Sequence, residues 1–391
     1  MKLNLYILSA RRTPVGTFLG SLKNFGPVEL GVIVAEAALK DSKVSGEEIC
    51  HSIFGNVCSS SSADGPYLAR HIALKAGVRV SAGSLNVNRL CGSGFEAIVQ
   101  ANTFASEGPC LVGGAENMSL TPLFIRNARE GFKFAQPPAT IDSLWEALND
   151  KHAKMSMGET AERLAQEYSI TREDCDRWAL MSHQRASKAE KDGKFLKEIV
   201  PVTLADGKIF DKEEHIRHES SAEKLAKLKP VFKGVTTAGN ASGMNDAGAA
   251  LVVADEAFAK KWSQTTGLKP LAKIIGVVSV GCDPTRMGIG PVAAIRKLSD
   301  EIQWDYSKLD YIEVNEAFAA QVLSVKKELK LSDAQLNPHG SGISLGHPLG
   351  ATGARISSHI AHLIASGELK RAIGSACIGG GQGIAVAFEA V

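Results

Sequence analysis

Strand and helix signals alternate in two separate runs along this chain, and that rhythm leaves few ways to fold. The first run extends from Leu5 to about Ser119. Tyr6–Ala10 reads as a strand, Val28–Lys40 as an alanine-rich helix, Ile53–Val57 as a strand and Pro66–Ala76 as a helix. Ser84–Asn88 alternates apolar and polar residues as a half-buried strand does. After Cys91 the apolar residues Phe95, Ile98 and Val99 fall at helical spacing, and Cys110–Gly114 is a glycine-ended strand. The rhythm restarts at Pro270 with a strand region over Leu271–Val280. Tyr311–Val314 is a strand that stops at Asn315, and the helix after it carries Phe318, Val322 and Val325. Gly346–Gly350 opens a helix with Ile356, Ile360, Leu363 and Ile364 on one face. Ala372–Cys377 and Ile384–Phe388 are strands joined by a glycine run. The pattern predicts an α/β fold of two similar halves, with a mixed or parallel sheet covered by helices on both faces.

The middle of the chain breaks the rhythm. From about Leu120 to Gly243 charged residues dominate, and helices are signalled at Gly158–Tyr168 and Arg172–Asp192. The expected organisation is a first half over 1–119, completed by 244–268, an inserted helical loop domain over 120–243, and a second half over 269–391. Thr237–Gly243 is a small-residue loop that returns the chain to a strand at Ala249–Val253. Lys208, Arg217, His218, Lys224, Lys227, Lys229 and Lys233 make the insertion loosely basic, with Asp211, Glu213, Glu214, Glu219 and Glu223 among them. On pattern alone that mixture reads as a solvated charged face ahead of a phosphate site.

A net charge of +2 over 391 residues points to neither a nucleic-acid groove nor a polybasic membrane surface. No apolar stretch is long enough to span a bilayer. Met1–Leu8 runs into a strand without the apolar core of a signal peptide, and Phe388–Val391 carries no peroxisomal tripeptide. Seven widely spaced cysteines without a CxxC argue for a reducing compartment. The expected location is the cytoplasm for a bacterial source, with the mitochondrial matrix as the alternative.

Chemistry concentrates where glycine meets a strand end. Cys91 lies in Asn88-Arg89-Leu90-Cys91-Gly92-Ser93-Gly94, at a strand-to-helix turn. A helix N-terminus favours thiolate over thiol, so Cys91 is a candidate nucleophile. The same turn also suits a buried structural cysteine. His347 sits in Gly-His-Pro-Leu-Gly, with Pro348 suited to a first helical position. A histidine there can take a proton from a thiol or donate to an oxyanion. Cys377 precedes three glycines at a strand end, where its sulfur would meet an open cleft. Asn315 ends a strand and reads equally as the N-cap of the next helix. His215-x-x-His218 and His359-x-x-His362 lack a matching ligand cluster, so no metal is expected. The glycine-rich stretches fit neither a P-loop nor a dinucleotide fingerprint.

These residues resemble the signatures of the thiolase family over nearly the whole chain. The signatures stand here as Asn88–Gly94, Asn315-Glu316-Ala317-Phe318-Ala319, Gly346-His347-Pro348 and Cys377-Ile378-Gly379-Gly380-Gly381, in that order. Ser62-Ala63-Asp64, Tyr67–His71 and Met287–Pro291 are most similar to the mitochondrial-type 3-ketoacyl-CoA thiolases. The resemblance implies a five-layered αβαβα thiolase fold of two similar βαβ halves with an inserted loop domain, assembled as homodimers or homotetramers. It implies Cys91 as the acylated nucleophile, Cys377 as acid/base, and His347 as activator of Cys91. Asn315 would hold a water in one oxyanion hole, and the N–H groups of Cys91 and Gly379 would form another. Coenzyme A enters as a substrate, not a tightly bound cofactor, against Met157, Arg217, Ala238, Ser242, Met287, Ala317 and Phe318. Three departures stand out: a shortened Ser106–Cys110, Asn337–Gly342 in place of a commoner Gly-Gly-Ala form, and Lys224 where biosynthetic members often carry serine.

By the same resemblance the expected reaction is thiolysis of 3-ketoacyl-CoA, as in fatty-acid breakdown. A biosynthetic-type acetoacetyl-CoA thiolase is the alternative, and a non-catalytic lipid-binding or scaffold relative a further one. A β-ketoacyl synthase would carry histidine at Asn315 and lack Cys377. Ser156, in place of a bulkier histidine before Met157, is expected to leave more room for an acyl chain.

Overall fold

The computed structural model describes residues 1–391. The first half contributes β1 (Lys2–Arg12), β2 (His51–Gly55), β3 (Gly83–Val87), β4 (Cys110–Asn117) and β5 (Asn245–Ala254). The second contributes β6 (Ala272–Gly281), β7 (Ile312–Val314), β8 (Arg371–Ile378) and β9 (Gln382–Glu389). The strand order is β7-β8-β9-β6-β1-β5-β4-β2-β3. In the first half β3–β2–β4 pair parallel and β4–β5–β1 antiparallel. In the second half β7–β8 are parallel and β8–β9–β6 antiparallel. The halves thus repeat one order, and a lone parallel bridge from Ile312 to Leu336 stands where the second half would carry a counterpart of β3. Antiparallel pairing of β1 with β6 joins them into one mixed sheet.

Helices α1 (Pro27–Ser42), α2 (Leu68–Lys75) and α3 (Ser93–Gln100) belong to the first half. The insertion carries α4 (Met157–Glu167) and α5 (Arg172–Lys191), and α6 (Glu256–Thr266) follows β5. The second half carries α7 (Gly290–Ile302), α8 (Ala319–Leu329) and α9 (Thr352–Ala365). Side chains of β1 alternate as a strand's must. Leu3, Leu5 and Ile7 join a core with Phe95 and Ile98 of α3, Ile356 and Ile360 of α9, and Ile384 and Val386 of β9. Tyr6 and Leu8 face the other way, into a core with α1, α2 and α6. A third core packs the far face of the second half against α7 and α8, with Ala165, Cys175 and Trp178 of the insertion. The sheet therefore folds over α3 and α9, giving the layers α-β-α-β-α.

Several local expectations change. On edge strand β3 the expected half-burial holds at Val87, which packs against the core, but not at Leu85, which is 39% exposed in the single chain. The α9 helix is buried all round, not on one face. Its polar side is tolerated in a central layer because Arg355 pairs with Glu313 at 2.5 Å and His359 with Glu198 at 3.0 Å. The helix expected to open at Gly346–Gly350 begins only at Thr352, so Pro348 is not its first residue. The strand-to-helix turn at Cys91 reaches helix only at Ser93. Asn315 is not a cap; α8 begins at Ala319, behind Phe318.

The insertion is tied to the body through buried charge. Arg12, at the end of β1, contacts Glu198 at 2.6 Å and Glu213 at 2.5 Å, and all three side chains are buried. Glu198 also holds His359 of α9, so one carboxylate joins insertion, first half and second half. Burial alone would raise the Glu198 pKa, but Arg12 and His359 more than offset it and bring it down to about 2. Its folded value lies below the ordinary carboxylate value, so its stabilisation is present above that ordinary value and is lost as pH falls toward about 2. Glu198→Ala leaves Arg12 and His359 buried without this partner and should cost about 3–5 kcal/mol in denaturant unfolding. A cost under about 1 kcal/mol would assign the docking to apolar packing instead.

Candidate active site

Cys91 lies between β3 and α3, with Gly92 as the helix cap. Leu90 before it takes φ 47°, a left-handed backbone that non-glycine residues adopt at a cost. The turn is stitched by Ser93, whose hydroxyl donates to Leu90 O at 2.7 Å and accepts from Arg89 N–H at 2.8 Å. The backbone N–H groups of Gly379 and of Cys91 itself favour the Cys91 thiolate. Burial nevertheless dominates and pushes it up to about 11. The expected thiolate is corrected: these backbone donors offset only part of the desolvation, and the resting group is a thiol.

His347 sits in the loop between the short helix Gly342–Leu345 and α9. Its N–H donates to Asn245 Oδ1 at 2.9 Å. Burial first, then the charge of Arg355, holds the imidazole down at about 3, so it is neutral across the physiological range. Nδ1 is 2.7 Å from Thr352 Oγ1, and that hydroxyl donates to Pro348 O at 3.2 Å. A hydroxyl has one hydrogen, so Thr352 accepts from Nδ1–H and leaves Nε2 with its lone pair free. Nε2 is buried and has no protein partner.

Cys377 ends up fully buried beside Met287 and Ala317, not facing an open cleft as expected. It is buried near the end of β8 directly behind Met287 and Ala317, two walls of the cavity that Cys91 and His347 line. Burial, then the charges of Cys91 and Cys282, push its thiol well above the ordinary range. Asn315 is also fully buried, and neither its Oδ1 nor its Nδ2 has a protein partner. A buried amide open at both ends is costly unless a ligand or water meets it. Gly342 opposite has no room for a Cβ, which would lie 2.7 Å from Asn315 Oδ1.

Cys91, His347, Met157, Ser242, Met287, Ala317 and Phe318 line one cavity of about 170 Å³. Arg217 and Ala238 line a separate cleft of about 630 Å³ with His183, His215, His218 and Lys224. The Thr237–Gly243 loop runs between the two, bonded through Ser242 N–H to Ala317 O at 2.9 Å. His359 and His362 are structural: the second lies 2.8 Å from Ala10 O. Asn337 takes φ 51° and grips the backbone of Val314 from both sides, which gives its departure from the Gly-Gly-Ala form a local use.

Two family models match the chain: the thiolase N-terminal domain over residues 5–257 and the thiolase C-terminal domain over 268–390. The chain belongs to the thiolase family. It is 46% identical to mouse mitochondrial 3-ketoacyl-CoA thiolase over 98% of each chain. It is 45% identical to beta-ketothiolase BktB of Cupriavidus necator over the full length of both. The crystal structure of human mitochondrial 3-ketoacyl-CoA thiolase in complex with CoA superposes with a TM-score of 0.96 at 42% identity, covering 100% of this chain and 99% of that one. The five-layered thiolase fold expected from the sequence is the fold observed.

Against that thiolase framework, sequence reasoning missed Thr352, which sets the tautomer, and the cavity walls Met118, Trp145, Leu148, Phe232 and Met244. The walls come from the irregular insertion and its flanks, where no periodic pattern marks an inward side. Thr352 was discoverable: it lies five residues after His347 and starts the helix. Removing its hydroxyl by Thr352→Val should free both histidine tautomers and slow acyl transfer to Cys91 by roughly 10-fold or more, with Thr352→Ser restoring it. In His347→Ala the onset of Cys91 alkylation by iodoacetamide should move toward the thiol's own value of about 11. An unchanged alkylation profile would remove His347 from the activation of Cys91.

Proposed function

We propose that this enzyme is an acyltransferase that cleaves 3-ketoacyl-CoA with CoA, releasing acetyl-CoA and a shortened acyl-CoA. The single observation that carries the reading is a thiol and an unpartnered imidazole nitrogen at one apolar cavity, with a second thiol close enough to feel the first's charge. The similarity to a 3-ketoacyl-CoA thiolase and a beta-ketothiolase supports the same chemistry. The degradative direction, as in β-oxidation, follows the similarity to the mitochondrial enzymes.

In this reading Cys91 and His347 rest neutral, and charge separates only as the attack proceeds. His347 Nε2 takes the Cys91 proton while the sulfur adds to the 3-keto carbon. The developing oxyanion meets preorganised donors, for which the N–H groups of Cys91 and Gly379 are placed beside the sulfur. The carbon–carbon bond breaks, and acetyl-CoA leaves as an enolate. Cys377 gives that enolate its proton and then takes one from the incoming CoA thiol. The CoA thiolate attacks the acyl-Cys91 ester, and the imidazolium returns its proton to Cys91. The open amide of Asn315 supports its role in holding a water at the second oxyanion position.

The Arg217 cleft adjoins the reactive cavity, which supports CoA lying with its phosphates there and its thiol end toward Cys91. Residues 120–243 then act as the CoA-binding loop domain between the two thiolase halves. Leu85, exposed on an edge strand paired on one side only, supports association into homodimers or homotetramers along that edge. No helix is long and apolar enough to cross a membrane. The relatives include a mitochondrial and a bacterial enzyme.

Mass mapping after acetyl-CoA treatment should place the acyl group on Cys91, and Cys377→Ala should still be acylated yet fail at carbon–carbon cleavage. Label on Cys377, or equal loss of both half-reactions in Cys377→Ala, would undo the division of roles. Chain length gives a further test. Each added methylene buried stabilises by roughly 0.8 kcal/mol, so kcat/KM for thiolysis should favour medium chains over acetoacetyl-CoA by about an order of magnitude. If acetoacetyl-CoA is the best substrate and longer chains barely turn over, the biosynthetic-type alternative holds.

A further inference from the structure

Cys91 comes from the first half and His347 from the second, and a residue outside the reacting set joins their backbones. Glu116 is fully buried near the end of β4. Its Oε1 accepts from Asn56 Nδ2 at 2.9 Å and Cys58 N–H at 3.0 Å. Its Oε2 accepts from Val57 N–H at 2.9 Å and Gly350 N–H at 2.8 Å. Three donors lie on the loop after β2, in the first half. The fourth lies on the His347–Gly350 turn of the second. All four partners are N–H groups, so only the ionised carboxylate satisfies them together. Burial pushes its pKa up to about 7, and the N–H groups of Cys58, Val57 and Gly350 oppose that rise.

The other side of Gly350 is equally constrained. A Cβ on Gly114 would lie 2.0 Å from Gly350 O, one on Gly55 2.8 Å and one on Gly94 3.0 Å. The Gly350 carbonyl thus rests in a socket of three glycines while its N–H is held by Glu116. Gly94 is three residues past Cys91, and Gly350 is three residues past His347. Seating one backbone on the other therefore fixes the spacing of the two reacting side chains.

We propose that Glu116 is a positioning residue: by holding Gly350 N–H across the seam, its carboxylate sets His347 against Cys91. The inference deepens the thiolase reading and rests on it only for which groups react. Glu116→Gln keeps the length but puts an NH₂ against N–H donors, and Glu116→Asp keeps the charge but loses the reach. Both should slow acylation of Cys91 by acetyl-CoA by about 100-fold, the scale of a small misplacement. KM for CoA should stay unchanged, because the Arg217 cleft is untouched. A folded Glu116→Gln that acylates at the wild-type rate overturns the proposal, as does a loss confined to KM. If the wild type itself is never acylated, the function reading fails, while the clasp is still judged by amide exchange. The wild-type peptide holding His347–Gly350 should exchange slowly although it carries little regular structure. Fast exchange there overturns the proposal even if both variants fail to fold.

Discussion

Close contact of bare backbone at Gly350 is the constraint on which this site depends. Two sheet halves with the same strand order can bring their strand ends together only if nothing projects between them. Gly55, Gly94 and Gly114 from one half leave that space, and the chain from His347 to Gly350 occupies it. Alanine at Gly114 would place a methyl group 2.0 Å from the Gly350 carbonyl, a clash that only backbone movement could relieve. These four glycines thus serve the seam.

Closure of the seam sets the electrostatics. Excluding water raises the thiols of Cys91 and Cys377 and lowers the imidazole of His347. The resting site holds neutral groups in an apolar cavity, which is the state least costly to bury. In the proposed reaction the donors for a negative intermediate are the backbone N–H groups that already favour the Cys91 thiolate, so they require no reorganisation when charge appears. Thr352 completes this with a neutral partner for Nδ1. A carboxylate there would raise the imidazole pKa and favour the charged form at rest, whereas a hydroxyl fixes the tautomer without doing so.

Sequence patterns made the alternation of strands and helices legible because apolar periodicity reports burial directly. The residues proposed to react were legible because Cys91, His347 and Cys377 sit in local motifs beside glycine. What stayed hidden depends on long-range closure. Cys377 reads as open to a cleft from its own neighbours, and only Met287 and Ala317, distant in sequence, cover it. The Cys91 thiol reads as activated from its helix position, but the residues it packs against, Met118, Leu144 and Leu349 among them, are distant in sequence. The helix after His347 reads as starting early because Pro348 suits a first turn. In the fold Glu116 and Asn245 hold the backbone N–H groups of that turn in a loop instead.

The cavity wall links these constraints to substrate choice. Met118, Met157, Met244 and Met287 line it, four of the seven methionines in the chain. Methionine is unbranched and fills or vacates space with little strain. A cavity of about 170 Å³ walled in this way needs side-chain movement to admit a long acyl chain, and flexible thioethers permit it. Ser156 adds a fixed point. Its hydroxyl accepts from Glu159 N–H as the cap of α4, while Glu159 bonds back to Ser156 N–H at 2.7 Å. The small residue that leaves room at the wall is therefore also the residue that starts the helix behind it. A bulkier side chain at this position would both fill the cavity and remove the hydroxyl cap. Width at the acyl end and the rigidity of α4 are thus set by one side chain, and the adaptable part of the wall is left to the methionines.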